Sequence, residues 1–247
     1  MKVLKFGGSS VSNSENIKKV LAIVAIESKE QKVAVVVSAF GKTTDNLLVA
    51  ANSALVDIAI AKNILETIKE VHYLVINDLI SSQKQEVLEV VTSLLDRLCS
   101  IYEGIFLLQE LSDKTIAKVS SFGERLSSFI IANAANELFD AAHKESKVLI
   151  STNNEYLNAQ VNFKITNQNI TSFFDKNKHQ VTVLGGFISS NIKGETTTLG
   201  RGGSDFSASI YAAALNAVEL QIWTDVPGMF TANPRVVKQA YPISEIS

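Results

Sequence analysis

The stretch Lys2-Val3-Leu4-Lys5-Phe6-Gly7-Gly8-Ser9-Ser10-Val11 reads as a short apolar strand that runs directly into a Gly-Gly turn and then into a polar, helix-starting segment. Strand, glycine loop and helix in that order make the first unit of an α/β sheet. A lysine inside such a strand is unfavourable if it faces a core. Lys5 is therefore expected to direct its ammonium along the glycine loop, toward a bound anion.

Working outward, Ser12 or Ser14 can cap a helix whose Ile17, Val20, Leu21 and Val24 recur at helical spacing. Val33 to Val37 follows as a continuous apolar run ending at Ser38, the pattern of a strand buried on both faces. From about Asp45 to Leu108 the pattern becomes long and helical, with Val87, Val90, Val91, Leu94, Leu95, Leu98 and Ile101 expected on one buried stripe. The helix carrying Gly123-Glu124-Arg125 continues through Phe129, Ile130 and Ala134, and Lys147 to Ile150 resumes a strand pattern. Val181 to Leu184 is another buried strand, ending in Gly185-Gly186. Ile188–Asn191 and Glu195–Leu199 can pair across Lys193-Gly194 as a hairpin, and Glu219 to Trp223 supplies a further strand. Strands alternating with helices predict a mostly parallel sheet covered on both faces.

The segment Thr198-Leu199-Gly200-Arg201-Gly202-Gly203-Ser204-Asp205-Phe206-Ser207-Ala208 is a second glycine-rich turn opening a helix. Its glycines permit close backbone approach, and the amides opening the helix form an anion site. Arg201 has the planar fork that suits a carboxylate or phosphate, and Asp205 adds fixed negative charge nearby. A third island, Ile222-Trp223-Thr224-Asp225-Val226-Pro227-Gly228-Met229-Phe230, ends a strand in a Thr-Asp pair and a Pro-Gly turn before Asn233-Pro234-Arg235. Such strand ends are where open α/β sheets bind ligands. Two other phosphate motifs fail on spacing. Gly41-Lys42-Thr43 lacks the upstream P-loop glycine, which would fall at Val36, and no G-x-G-x-x-G opens the first helix.

Composition narrows the class further. The chain has 247 residues, 46% of them hydrophobic, enough for a substantial core as one large domain or two intimate lobes. A net charge of −2 gives no global attraction to nucleic acid or membranes. No apolar run approaches the roughly 20 residues needed to span a bilayer, and the start of the chain lacks a signal pattern, which points to the cytoplasm. The single cysteine, Cys99, excludes an internal disulfide framework and is expected at a buried or half-buried helix position.

Four islands, KFGGSSV at Lys5–Val11, SFGERLSS at Ser121–Ser128, TTLGRGGSDFSA at Thr197–Ala208 and WTDVPGMFTANPRVV at Trp223–Val237, resemble in content and order the aspartokinases of the amino-acid kinase family. The resemblance spans nearly the whole chain. It implies a three-layer α/β/α sandwich around a mostly parallel sheet, with residues 45–112 as an inserted helical substrate lobe inside one catalytic domain over 1–247. The activity it implies is transfer of the ATP γ-phosphoryl group to the β-carboxylate of L-aspartate, giving 4-phospho-L-aspartate, with Mg²⁺ accompanying ATP. That is the first step toward lysine, threonine and methionine. A carboxylate is already ionised at neutral pH and needs no general base, which fits the placement of His72, His143 and His179 outside every island.

By the same resemblance, Lys5 would contact the transferring phosphoryl group and Asp205 would hold Lys5 or the metal–phosphate assembly. Gly7, Gly8 and Ser9 would cradle phosphate. Arg201 would grip the substrate α-carboxylate and Glu124 its α-ammonium, with Ser38, Thr44, Gly202, Gly203 and Ser204 lining the pocket. Thr224, Asp225, Phe230 and Arg235 would line the nucleotide site, and Phe230 stands where many family members have Tyr. No protein side chain is expected as a dedicated metal ligand, because Mg²⁺ would be held by phosphates and water. The family continues past ISEIS (243–247) into a further helix and regulatory ACT domains, so the sequence is expected to be one lobe of a longer, homo-oligomeric protein, and weak or no turnover is expected of this lobe alone. Another amino-acid kinase, acting on glutamate or N-acetylglutamate, and a noncatalytic amino-acid-binding module are the alternatives.

Overall fold

The computed structural model describes residues 1–224, 228, 230–233 and 236–244. Five parallel strands form the central sheet in the order β3-β5-β2-β1-β8: β1 Lys2–Phe6, β2 Val33–Val37, β3 Ala141–Lys144, β5 Val181–Gly185 and β8 Glu219–Trp223. A smaller sheet of order β4-β6-β7 is made by Ser151–Thr152, Ile188–Asn191 and Thr196–Thr198.

Parallel strands need helices on both faces, and the side-chain alternation shows how the two layers form. On one face Leu4, Phe6, Val33, Val35, Val37, Val181 and Val183 pack against α1 (Ser14–Glu27) and α5 (Asp113–Asn136). Helices α2 (Thr43–Ala54), α3 (Ile58–Leu79) and α4 (Lys84–Leu108) extend the same core. On the other face Val3, Ala34, Val36 and Leu184 pack against α6 (Phe163–Lys176) and α7 (Gly203–Ala214). The result is a three-layer α/β/α sandwich. Burial at about 25 cal/mol per Å² makes these two apolar layers the main stabilising term.

Several local expectations need adjustment. The cap of α1 is Asn13, not Ser12 or Ser14, and its side chain accepts the Asn16 amide at 2.9 Å. The buried stripe of α4 is narrower than predicted: Val87, Val91, Leu95 and Leu98 are buried, whereas Val90 is 43% exposed. Lys147–Ile150 does not form a strand. Ser146–Val148 is a 3₁₀ turn, and the strand at this edge of the sheet is β3, earlier in the chain. A run with only three apolar residues and a buried Ser146 packs as readily in a tight turn as in a ladder. Among the described residues no helix is long and apolar enough to cross a membrane.

The register sets the site. Phe6, Val37, Gly185 and Trp223 stand level across β1, β2, β5 and β8. The residues that follow them, Gly7, Ser38, Gly186 and Thr224, therefore share one rim at the carboxyl ends of the strands.

Candidate functional site

A cavity of about 260 Å³ opens at this rim, lined by Lys5, Ser38, Thr44, Glu124, Phe187, Gly200, Gly202, Gly203, Ser204 and Asp205. Lys5 shares its sheet face with Val3, the face covered by α7, so its side chain rises beside the start of that helix. Its Nζ meets Asp205 Oδ1 at 2.6 Å and lies 3.5 Å from where a Cβ on Gly7 would stand. The ammonium does follow the glycine loop. Asp205 Oδ1 is shielded from water, and the Lys5 ammonium is its charge partner.

Helix α7 begins with Gly202 in the left-handed conformation (φ 74°), and its first turn carries Asp205. The opening amides of α7 thus face the same cavity as Lys5, a positive end beside a fixed cation. Gly186 makes this possible, because a Cβ there would stand 2.7 Å from Ser204 Cβ.

Glu124 enters from the opposite layer on α5. Gly123 lets α5 approach the loop after β2, since a Cβ at that position would come within 2.7 Å of Ala39 Cβ and 3.0 Å of Thr44 Oγ1. Ser127, one turn further, donates its hydroxyl to the Ser38 carbonyl at 2.8 Å and fixes the helix against the rim. Glu124 is only 4% exposed. Its Oε2 has no hydrogen-bond partner among the described residues. Burial pushes its carboxyl up to about 8, against the opposing pull of the Glu124 and Ala39 amides. A buried acid with a free oxygen facing a cavity has the chemistry to accept a cation.

The structure divides the remaining predicted residues. Lys5, Ser38, Thr44, Glu124, Gly202, Gly203, Ser204 and Asp205 come together in the one cavity. Arg201 does not line it; it is exposed on the turn between Gly200 and Gly202 and makes no contact with a described polar partner. Gly7 and Gly8 form the turn after β1, where the Gly7 amide reaches the Trp223 carbonyl at 3.5 Å. Ser9 and Thr224 line a second cavity, of about 280 Å³, with Phe6, Ser10, Val20 and Trp223 on the α1 side. Phe230 forms an isolated bridge with Pro242. Asp225 and Arg235 lie outside the described residues.

Sequence reading missed Phe187, which lines the cavity in the left-handed region at φ 65°. Its amide donates to Ser207 Oγ at 2.8 Å, so α7 holds the strained backbone in place. The only signal was its position directly after Gly185-Gly186.

Among the described residues no histidine lines the cavity. His72 is buried in α3, its Nδ1–H donating to the Ile68 carbonyl at 2.7 Å and its ring stacked on Phe40, and burial lowers its pKa to about 4. His143 lies within reach of Ser128 Oγ at 3.0 Å, and exposed His179 contacts Asp140 at 2.6 Å. Among the described residues no three His, Cys, Asp or Glu side chains converge on a metal-sized site.

A sequence profile described as the amino acid kinase family matches residues 1–247. The chain is 34% identical to aspartokinase 1, chloroplastic, of Arabidopsis thaliana, covering 98% of this chain and 43% of that protein. It is 32% identical to the bifunctional aspartokinase/homoserine dehydrogenase of Buchnera aphidicola, covering 100% of this chain and 31% of the relative. Among solved structures, E. coli aspartokinase III in complex with aspartate and ADP superposes with a TM-score of 0.90 at 29% identity, over 98% of this chain and 53% of that one. The chain thus spans between about a third and about half of the proteins it matches.

Proposed function

The chain belongs to the amino acid kinase family, and from that premise we propose that it binds L-aspartate and Mg·ATP and transfers the γ-phosphoryl group to the aspartate β-carboxylate. The observation that carries this reading is Glu124, a buried carboxyl with an unpartnered oxygen facing a cavity that also holds a lysine and a helix N-terminus. An amino acid with an anionic side chain brings an ammonium for the first and negative charge for the others. The likeness to an aspartokinase crystallised with aspartate and ADP supports the same assignment.

In this reading the α-ammonium pairs with Glu124, and Arg201 swings onto the α-carboxylate, its exposed position leaving the fork free to donate two parallel bonds. Ser38, Thr44 and Ser204 bond the remaining oxygens. Lys5 and the Gly7–Gly8 amides hold the γ-phosphoryl group, with Ser9, Thr224, Asp225, Phe230 and Arg235 assigned to the nucleotide. One β-carboxylate oxygen forms the new P–O bond while the bond to the β,γ-bridging oxygen breaks and ADP keeps the electron pair. No proton is transferred, so no general base is required. Lys5 neutralises charge that repels the two anions.

Mg²⁺ would enter with ATP, held by phosphates and water, with Asp205 placed to hold its water shell. The ion supplies charge neutralisation on the phosphates. Cytoplasmic placement, homo-oligomerisation of the longer protein, and residues 45–112 as the substrate-side insertion belong to the same proposal.

Calorimetric titration with L-aspartate, in the presence of Mg²⁺ and a nonhydrolysable ATP analogue, tests it. Aspartate is expected to bind and to release nearly one proton at pH 7, because pairing ionises a carboxyl that is mostly protonated when free. N-acetylglutamate, which lacks the ammonium, is the control. Equal binding of the two, or no aspartate binding, overturns the assignment.

A further inference from the structure

We propose that Glu195, which lies outside the cavity, is a positioning residue for the Arg201 loop, and that it sets the grip on the substrate α-carboxylate. The inference rests on the role given to Arg201 above. Glu195 stands at the end of the turn between β6 and β7, the hairpin that leads into Gly200-Arg201-Gly202. Three side chains from three different elements converge on its carboxylate. Lys114, in the first turn of α5, meets Oε1 at 2.6 Å. Asn191 of β6 donates to Oε2 at 2.8 Å, and the Tyr156 hydroxyl donates to the same oxygen at 3.0 Å.

Each contact has a consequence for the loop. Asn191 also accepts the backbone amides of Lys193 and Glu195, both at 3.0 Å, and so closes the hairpin turn. Tyr156 belongs to the 153–160 segment that lies along β7. Its carbonyl accepts the Thr198 amide at 2.8 Å, and the Ala159 amide donates to the Thr198 carbonyl at 2.9 Å. Asn158, between them, rests on the loop itself: its Oδ1 occupies the space that a Cβ on Gly200 would need. A continuous path of contacts therefore runs from Glu195 through Tyr156 and Asn158 to the residue before Arg201.

Lys114 closes the frame from the other side. It sits at the start of the helix that later presents Glu124, so one carboxylate ties the element bearing the cation receptor to the strand leading to the anion receptor. An exposed ion pair alone is worth little. Glu195, however, has a side chain only 25% exposed and is bonded by three partners at once. Those partners, Lys114 first, then Asn191 and Tyr156, hold its carboxyl down at about 2, so the anchor stays ionised throughout the working pH range.

The test compares the unaltered chain with Glu195→Ala, Glu195→Gln and Tyr156→Phe by calorimetry and by amide hydrogen exchange of Gly200–Ser204. Glu195→Ala is expected to weaken aspartate binding by about fivefold, less than loss of Arg201 because the guanidinium remains, while leaving the affinity for the ATP analogue within about twofold. Glu195→Gln, which can still accept from Tyr156 and Asn191, is expected to recover part of the loss, and Tyr156→Phe to show a smaller one. Loop amides in the ligand-free protein are expected to exchange faster in Glu195→Ala. Equal losses for aspartate and nucleotide, or unchanged exchange, overturn the positioning role. If Glu195→Ala does not fold, the Gln and Phe variants decide by the same readouts. Failure of the unaltered chain to bind aspartate would count against the proposed reaction alone, and the exchange comparison would still decide the role of Glu195.

Discussion

The two residues proposed to take the charged ends of the substrate, Glu124 in the cavity and Arg201 outside it, are built in opposite ways. Glu124 is buried on a long helix, pinned by Ser127 to the Ser38 carbonyl, and lacks a partner for one oxygen. Arg201 is exposed on a short turn between glycines that both adopt positive φ, 73° and 74°. In the proposed reading the first is organised before aspartate arrives, and the second closes onto it from a loop framed by Glu195. The cost of the arrangement also falls unevenly, because an unpaired buried acid burdens the folded state and a solvated guanidinium does not.

The largest expected effect removes the organised side. Glu124→Gln keeps the shape and loses the charge, and calorimetry is expected to show aspartate binding weakened by about a hundredfold, the range of a hydrogen bond to a charged group. A loss similar to that of Arg201→Ala would erase the asymmetry. Next comes pH. Binding requires the ionised form of a carboxyl whose free value is about 8, so affinity rises with pH, by about fiftyfold from pH 6 to pH 8. A flat profile across that interval would mean that Glu124 is not the ammonium receptor.

Arg201→Ala is expected to cost about tenfold in aspartate affinity, less than Glu124→Gln because its bonds form in water-exposed surroundings. Its melting temperature should not move.

Effects on stability form a separate group. Glu124 has a folded-state value above its unfolded one, so the folded protein binds the extra proton between about pH 4.5 and 8 and loses relative stability as pH rises through that window. Glu124→Gln should therefore melt later than the parent at pH 9 and equally at pH 4. Gly123→Ala, whose Cβ would meet Ala39 Cβ at 2.7 Å, is expected to destabilise by about 1–3 kcal/mol, measured by urea unfolding.

What could be read from sequence follows the same division between layers. β2 was legible because a strand buried on both faces is a continuous apolar run, and Val33–Val37 is fully that. Lys5 was legible because a cation in such a strand has few places to go. The edge β3 was not, because Ala141–Lys144 carries His143 and Lys144, and its burial comes from α5 rather than from its own pattern. In the site, residues inside the glycine islands were named in advance. Phe187 escaped because its strain is imposed by Ser207 from across the chain, and the Glu195 frame escaped because Lys114, Tyr156 and Asn191 are distant in sequence and share no motif.

The chain has a single tryptophan, and the fold has put it at the rim. Trp223 stacks on Phe6 with ring centroids 6.1 Å apart, and its indole N–H donates to Gln221 at 2.9 Å. Its carbonyl takes the amide of Gly7, the first residue of the turn after β1. All indole emission from this protein thus originates where the ends of β1 and β8 meet. An occupant that draws the turn toward itself will shift that emission, giving an intrinsic optical readout that requires neither label nor turnover.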